Sequence, residues 1–124
     1  MEIIKIIQAK DVFAPHFQEK LSPSLSYKIY KLCKFAEQEE TFYSQKKREL
    51  IEEYAQRNEK GEIVQNNGMI SLIPDRIAEA RSAFAQLDAI DVETPNVRFT
   101  LDELSEIKLS VADIVALDGF IEEV

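Results

Sequence analysis

The chain has 124 residues, of which 45% are hydrophobic and 31% are charged, and its formal net charge is −8. This length predicts one domain over residues 1–124, and the composition is typical of folded soluble proteins rather than of disordered chains. The negative charge argues against direct nucleic-acid binding, because binding to phosphates requires a basic face.

The first apolar run predicts a β-strand at Glu2–Gln8, because it is rich in β-branched isoleucine and about as long as a strand. It is too short for a membrane span or a signal peptide, and no other apolar run approaches that length. A short helix is expected from Pro15 to Leu21, since proline is tolerated at the first helical position. The single cysteine, Cys33, precludes an internal disulfide. These features predict a cytoplasmic protein without membrane contact.

A long helix is predicted at Pro23–Arg57. Ser22 can cap its first turn, and Pro23 can occupy the first helical position. Charged pairs at positions 39–40 and 46–47 interrupt its apolar stripe. Because this helix is longer than the core of a small domain, its polar middle is expected to project into solvent or to contact a partner. The stripe consists of residues spaced by three, four or seven: Leu25, Ile29, Leu32, Ala36, Tyr43, Leu50 and Tyr54.

A β-hairpin is predicted with Asn67 and Gly68 as its two-residue turn. Asn-Gly between two β-prone runs is the strongest local hairpin signal, because both central positions of the turn need positive φ. The paired strands are expected at Ile63–Asn66 and Met69–Ile73. The hairpin therefore argues against an all-helical bundle.

The C-terminal half is predicted to contain a second, shorter helix at Pro74–Leu87, with proline and Asp75 in its first turn. Alternating apolar residues then predict a strand at Val97–Leu101. Ser110 and Asp113 resemble a capping box that would begin a last short helix. Gly119 would close that helix, after which Phe120 and Ile121 would pack back.

The predicted fold class is α+β. Its small, mainly antiparallel sheet has a central hairpin, and the two main helices pack on one face of the sheet, which leaves the long helix protruding. The strand at Glu2–Gln8 is expected to pair with the hairpin or with Val97–Leu101, because an isolated hairpin is only marginally stable.

No catalytic residue, cofactor site or metal site is predicted, and the chain is interpreted as not being an enzyme. One histidine and one cysteine are too few for the usual transition-metal sites, and the three glycines lack phosphate-binding spacing. His16 has no identifiable nucleophile as partner, which favours a structural role over general base catalysis. Cys33 lies on an apolar helix face, which favours a small core side chain over a reactive thiol.

Aromatic residues lie on more than one face of the long helix. Packing from both sides explains this pattern; the alternative is a protein interface, where Tyr and Phe are enriched. The candidate interface residues are Phe35, Phe42, Tyr43, Lys46 and Lys47. Two antiparallel copies would form a homodimer in which acidic residues of one helix lie near basic residues of the other: Glu37, Glu39 or Glu40 beside Lys46, Lys47 or Arg48. In the alternative, a monomer, the segment Leu109–Ile121 covers the second face.

Several short motifs occur in a characteristic order: the helix string Arg48–Ala55, the loop Asn58–Glu62, the helix end Ile90–Glu93, and the tail segments Phe99–Leu104, Leu109–Ser110, Asp113–Ile114 and Phe120–Ile121. Over nearly the whole chain, this order resembles a family of short uncharacterised proteins encoded by bacterial viruses and prophages. The resemblance implies a viral origin and supplies no catalytic residues.

The predicted function is that of a non-enzymatic phage or prophage accessory protein in the host cell cytoplasm. It would bind a protein partner, which is a second copy, a virion component or a host protein. The alternative is an acidic inhibitor that imitates phosphate charge and blocks a host nucleic-acid-binding defence enzyme. Its acidic surface would comprise six residues, which are otherwise explained as solvated helix faces: Glu37, Glu39, Glu40, Asp102, Glu103 and Glu106.

Overall fold

The computed structural model describes residues 1–122 and shows a mixed α+β fold that is mostly helical. None of the helices in this part of the chain is long and apolar enough to cross a membrane. The helices are α1 (Ile3–Phe13), α2 (Pro23–Tyr54), α3 (Ile77–Asp88), α4 (Leu101–Leu104) and α5 (Val111–Leu117), and the strands are β1 (Gln65–Asn66) and β2 (Met69–Ile70).

The predicted strand at Glu2–Gln8 is wrong, because this segment forms most of α1. Ile3, Ile6 and Ile7 are buried together with Ala9 and Phe13, and these positions recur with the three- and four-residue spacing of one helix face. A β-branched residue costs a helix only a few tenths of a kcal/mol, whereas burying an isoleucine side chain contributes about 1.5–3 kcal/mol. Tertiary burial therefore outweighs the local preference for a strand.

The hairpin is confirmed, with β1 and β2 antiparallel and Asn66 opposite Met69. Asn67 and Gly68 have φ of 52° and 78°, as the two-residue turn requires. The strands are shorter than predicted, and the regular sheet in residues 1–122 consists of these two strands. The segment that follows α2 pairs with both arms of the hairpin through the bridges Arg57–Ile63 and Ala55–Leu72. The hairpin is thus attached to the C-terminal end of α2.

The predicted strand at Val97–Leu101 is also wrong as a sheet strand. Phe99 makes one isolated parallel bridge with Ile121, and Leu101 already begins α4. Thr100 and Glu103 form a capping box, whose reciprocal hydrogen bonds start a helix at this point. Local capping therefore ends the extended segment before a ladder can form.

The short helices differ from the prediction in two places. Instead of a helix at Pro15–Leu21, a single 3-10 turn, Ala14–His16, continues the end of α1. Gly119 lies inside the 3-10 turn Asp118–Phe120 and is not a left-handed cap. The predicted capping box that begins α5 is confirmed, and Phe120 packs back into the core, as expected.

The helices pack on one another and not on a sheet face, which corrects the predicted layer arrangement. The main core joins α1, the first half of α2 and the C-terminal segment, and Phe13 meets Phe99 with 5.2 Å between ring centroids. A smaller cluster of Ile3, Ile7, Tyr43 and Leu87 joins α1, α2 and α3. The 32 residues of α2 span about 48 Å. Positions 44–49 are exposed, whereas Glu39 and Glu40 are half-buried and Glu40 pairs with Lys10, so the predicted solvent-facing middle is confirmed only for its second half.

Candidate protein interface

Two of the predicted interface residues line a groove between α2 and α3. Phe42 is 45% exposed at one wall, Lys46 lies one turn further along α2, and Leu50 and Leu87 provide apolar surface. The groove has a volume of about 470 Å³. We name it the Phe42 groove. An exposed aromatic ring beside an apolar depression is the arrangement by which anchors and pockets pair at protein interfaces.

Tyr43 is buried and stabilises the helix packing, so its ring is not presented to a partner. Its hydroxyl donates a hydrogen bond to Asp88 of α3, with 2.5 Å between the oxygens. Burial, followed by this hydrogen bond, raises the pKa of Tyr43 to about 12. The Lys47 ammonium lies 5.7 Å from the centroid of the same ring. Tyr43 and Lys47 therefore belong to the packing of α2 rather than to the Phe42 groove.

Phe35 is half-buried and packs against the main core. Its remaining surface lines a small depression of about 210 Å³, together with Lys31 and the loop residues Pro95 and Val97. Most of this ring is already occupied by intramolecular contacts. Among the five predicted residues, Phe42 and Lys46 are the two that the structure brings together at an accessible groove.

Three of the six residues of the predicted acidic surface are engaged within the molecule. Glu40 forms an ion pair with Lys10 of α1. Glu103 accepts a hydrogen bond from Lys28 at 2.7 Å, and this contact is the largest cause of the lowered pKa of its carboxyl group. Glu106 accepts from the hydroxyl and the backbone N–H of Ser22, which also lowers its pKa.

The structure does not bring the six acids together. Glu103 is anchored beside Lys28, whereas Glu40 lies twelve positions further along the same helix, which corresponds to about 18 Å. The cationic side chains of Lys31 and Lys34 occupy the helix between these positions. Within residues 1–122, Glu37, Glu39 and Asp102 are the members whose carboxylates make no hydrogen bond or ion pair. The six acids therefore do not form a continuous row of negative charge that could imitate a phosphate backbone.

A second groove, of about 480 Å³, runs beside the first half of α2. Its apolar surface comes from Phe17, Leu21, Ile29, Tyr30 and Cys33, and we name it the Tyr30 groove. Burial raises the pKa of the Cys33 thiol to about 11, so the thiol is protonated near neutral pH and is a poor nucleophile.

His16 lies at the edge of the Tyr30 groove, with its Nδ1 atom 2.5 Å from a carboxylate oxygen of Glu19. The part of the chain that the structure describes contains no group of three or more His, Cys, Asp or Glu side chains placed to hold a metal ion. The arrangement around this groove is suited to binding an apolar group rather than to activating a nucleophile.

Sequence reasoning missed a face of α2 that consists of Tyr27, Tyr30, Lys31 and Lys34, which we name the lysine–tyrosine face. The two tyrosines are 56% and 58% exposed, and their rings meet edge to face at 6.1 Å. The ammonium groups of Lys31 and Lys34 lie 5.6 and 5.8 Å from the ring centroids of Tyr27 and Tyr30. The signal was the repeat of tyrosine and lysine at three- and four-residue spacing, which puts these side chains on one helix surface.

No protein family, curated protein or solved structure that was compared with this chain matches it.

Proposed function

We propose that this chain is a non-enzymatic phage or prophage accessory protein that acts by protein binding, and that it self-associates through the Phe42 groove. The exposure of Phe42 beside an apolar depression is the observation that carries the proposal. Aromatic side chains that insert into pockets supply much of the binding energy at interfaces. The phage context comes from the resemblance described in the sequence analysis.

A twofold contact suits this groove because it presents both a projecting ring and a depression. In such a contact, Phe42 of one copy packs against Leu50 and Leu87 of the other, and the reverse contact forms by symmetry. Lys46 and Glu49 also line the groove and form an exposed pair at 3.1 Å within one helix. Across a twofold axis, these opposite charges can exchange partners. In the dimer predicted from the sequence, Glu40 is one of the acids facing basic residues of the second copy. Its carboxylate is paired with Lys10 in the structure, so Lys46 and Glu49 supply the charged contacts of the proposed dimer instead.

The substitution Phe42→Glu tests this proposal. We expect the wild-type chain to be a dimer by size-exclusion chromatography with light scattering at about 50 μM, a concentration that populates a dimer of micromolar affinity. Phe42→Glu should give a folded monomer, because a charged side chain cannot enter the partner's groove and the ring is not part of the closed core.

Val111→Glu is the matched control, because it adds the same charge at a valine that is 82% exposed on α5. This control should remain dimeric. A monomeric wild-type chain at that concentration contradicts self-association. Loss of the helical circular dichroism signal in Phe42→Glu would show instead that Phe42 is required for the fold.

The net charge of −8 favours an acidic inhibitor as the second candidate function. Glu37, Glu39 and Asp102 would then contact a host nucleic-acid-binding enzyme. Purification of the tagged chain from infected cells separates the candidates: a virion protein as main partner supports assembly, and a host nuclease supports inhibition. The latter complex should weaken steeply between about 0.1 and 1 M salt, over which the Debye length falls from about 10 to 3 Å.

A further inference from the structure

The lysine–tyrosine face and the Tyr30 groove form one continuous surface, because Tyr30 and Lys34 belong to both. On one side of Tyr30 the surface is cationic and aromatic. On the other side it is concave and apolar, with Phe17 52% exposed. A single ligand can therefore contact both parts.

The two lysines of this face are available for an external anion. Within the described residues, neither Lys31 nor Lys34 forms an ion pair, although the chain has a net charge of −8. The neighbouring Lys28 differs, since its ammonium is held at 2.7 Å by Glu103. The ammonium groups of Lys31 and Lys34 instead lie over tyrosine rings, both lysines are exposed, and Lys34 lines the Tyr30 groove.

We propose that this surface binds an acidic segment of a partner protein, which places an apolar side chain in the Tyr30 groove and carboxylates against Lys31 and Lys34. The inference rests on the proposed function only in its broader form, that the chain acts by protein binding. It adds to the Phe42 groove a second binding surface elsewhere on the molecule, and it names the chemical class of the partner.

The groove edges favour a peptide over a nucleic acid. Glu19 and Glu37 line the groove, so a phosphate backbone that crossed it would place its evenly spaced charges beside two carboxylates. A peptide avoids this repulsion because it can place uncharged side chains at the groove and acidic ones at the lysines. A second copy is disfavoured on charge, because each copy has a net charge of −8 and, in the described part of the chain, the face has two unpaired lysines to offset that repulsion.

Selection from a displayed library of random twelve-residue peptides, on the full chain, tests this proposal. We expect enriched sequences to combine Asp or Glu with an aromatic residue or leucine. Parallel selection on the double variant Lys31→Glu, Lys34→Glu should lose this enrichment. The matched control is Lys60→Glu, Lys108→Glu, which makes the same charge change at two exposed lysines outside the surface and should keep it.

The most enriched peptide is then measured by fluorescence anisotropy. We expect a loss of affinity of at least tenfold in the Lys31/Lys34 double variant and also in Tyr30→Ala, which removes the groove wall. A counterpart peptide with Asn and Gln in place of Asp and Glu should bind the wild-type chain at least tenfold more weakly than the selected peptide does. Circular dichroism verifies that each variant is folded, and all the substituted side chains are exposed.

Four results would overturn the proposal. They are absence of enrichment, enrichment of basic or uncharged peptides, binding unchanged in the double variant, and a dT12 oligonucleotide that binds the same lysines more tightly. A change of oligomeric state in the double variant would assign the face to a second copy. Phe42→Glu should keep peptide binding, so failure of the dimer and failure of this surface are distinguishable.

Discussion

Phe42 and Tyr43 are adjacent in the sequence and have different environments. Successive residues of an α-helix are rotated by about 100°, so α3 covers Tyr43 while Phe42 stays at the edge of the groove. The Tyr43 hydroxyl bonds to Asp88, and the Phe42 ring remains accessible. Tyr43 therefore contributes to the packing of the helices, and the exposed Phe42 ring is the one that the proposed dimer uses.

Replacement of Tyr43 by Phe should destabilise the chain by about 1–2 kcal/mol, because it leaves the Asp88 carboxylate without its buried donor. Urea unfolding at pH 7 measures the change. Tyr27→Phe is the matched control and should stay within about 0.5 kcal/mol, since Tyr27 is exposed. Equal effects of the two variants would show that the hydrogen bond between α2 and α3 contributes nothing.

The same hydroxyl predicts a loss of stability in alkali. The folded-state pKa of Tyr43 is about 12 and lies above its ordinary value of 10.0, so its contribution is complete below pH 10.0 and is lost as the pH rises toward about 12. Tyr43→Phe should remove this part of the alkaline decline in the free energy of unfolding. An identical decline in the variant would contradict the prediction.

At the scale of elements, α1 shows how burial selects one of two conformations that its sequence permits. In a helix, Ile6 faces the core and Ile4 lies at its edge, whereas in a strand the two would share a face. Lys10, near the end of α1, pairs with Glu40 and fixes the helix against α2. The free-energy costs of replacing Ile4 and Ile6 should therefore differ if this segment is a helix and be similar if it is a strand.

Ile6→Ala should destabilise the chain by about 2–5 kcal/mol, because it opens a cavity at a side chain with no exposed surface. Ile4→Ala removes the same atoms from a half-buried site and should cost less than half as much. Chemical denaturation of both variants gives the comparison. Equal costs would favour a strand, in which positions 4 and 6 are equivalent.

At the scale of the whole molecule, one ion pair and a set of hydrogen bonds to a carboxylate attach the C-terminal segment to α2. Glu103 joins Lys28 to the capping box of α4, and Glu106 binds Ser22 at the start of α2. Both contacts lower the pKa of the carboxyl groups below the ordinary value of 4.5. The segment that completes the main core is therefore held by groups that titrate in acid.

We expect the free energy of unfolding to decrease as the pH falls below 4.5. These carboxyls bind protons more readily in the unfolded chain, so their contribution is complete above that pH and is lost as the pH falls through their folded-state pKa values. Glu103→Gln should be less stable at pH 7 and should show a shallower decline in acid. Denaturation at constant ionic strength measures both, and parallel curves for the two proteins would refute this assignment.

The sequence by itself determined the features that depend on neighbours within about four residues. Asn67-Gly68 specifies the hairpin because the turn needs positive φ at both positions. Ser22 and Pro23 specify where α2 begins, and Ser110 with Asp113 specifies where α5 begins, because the cap and the donors it satisfies lie within one turn. In each case the residues that make the interaction lie within one turn of each other.

The tertiary structure alone decided the conformation of Glu2–Gln8 and the division of the aromatic residues of α2 between core and surface. It also decided that Glu40 and Glu103 are paired with lysines of other elements. Each outcome depends on contacts between residues distant in the chain, and their free energies exceed the small differences in local propensity.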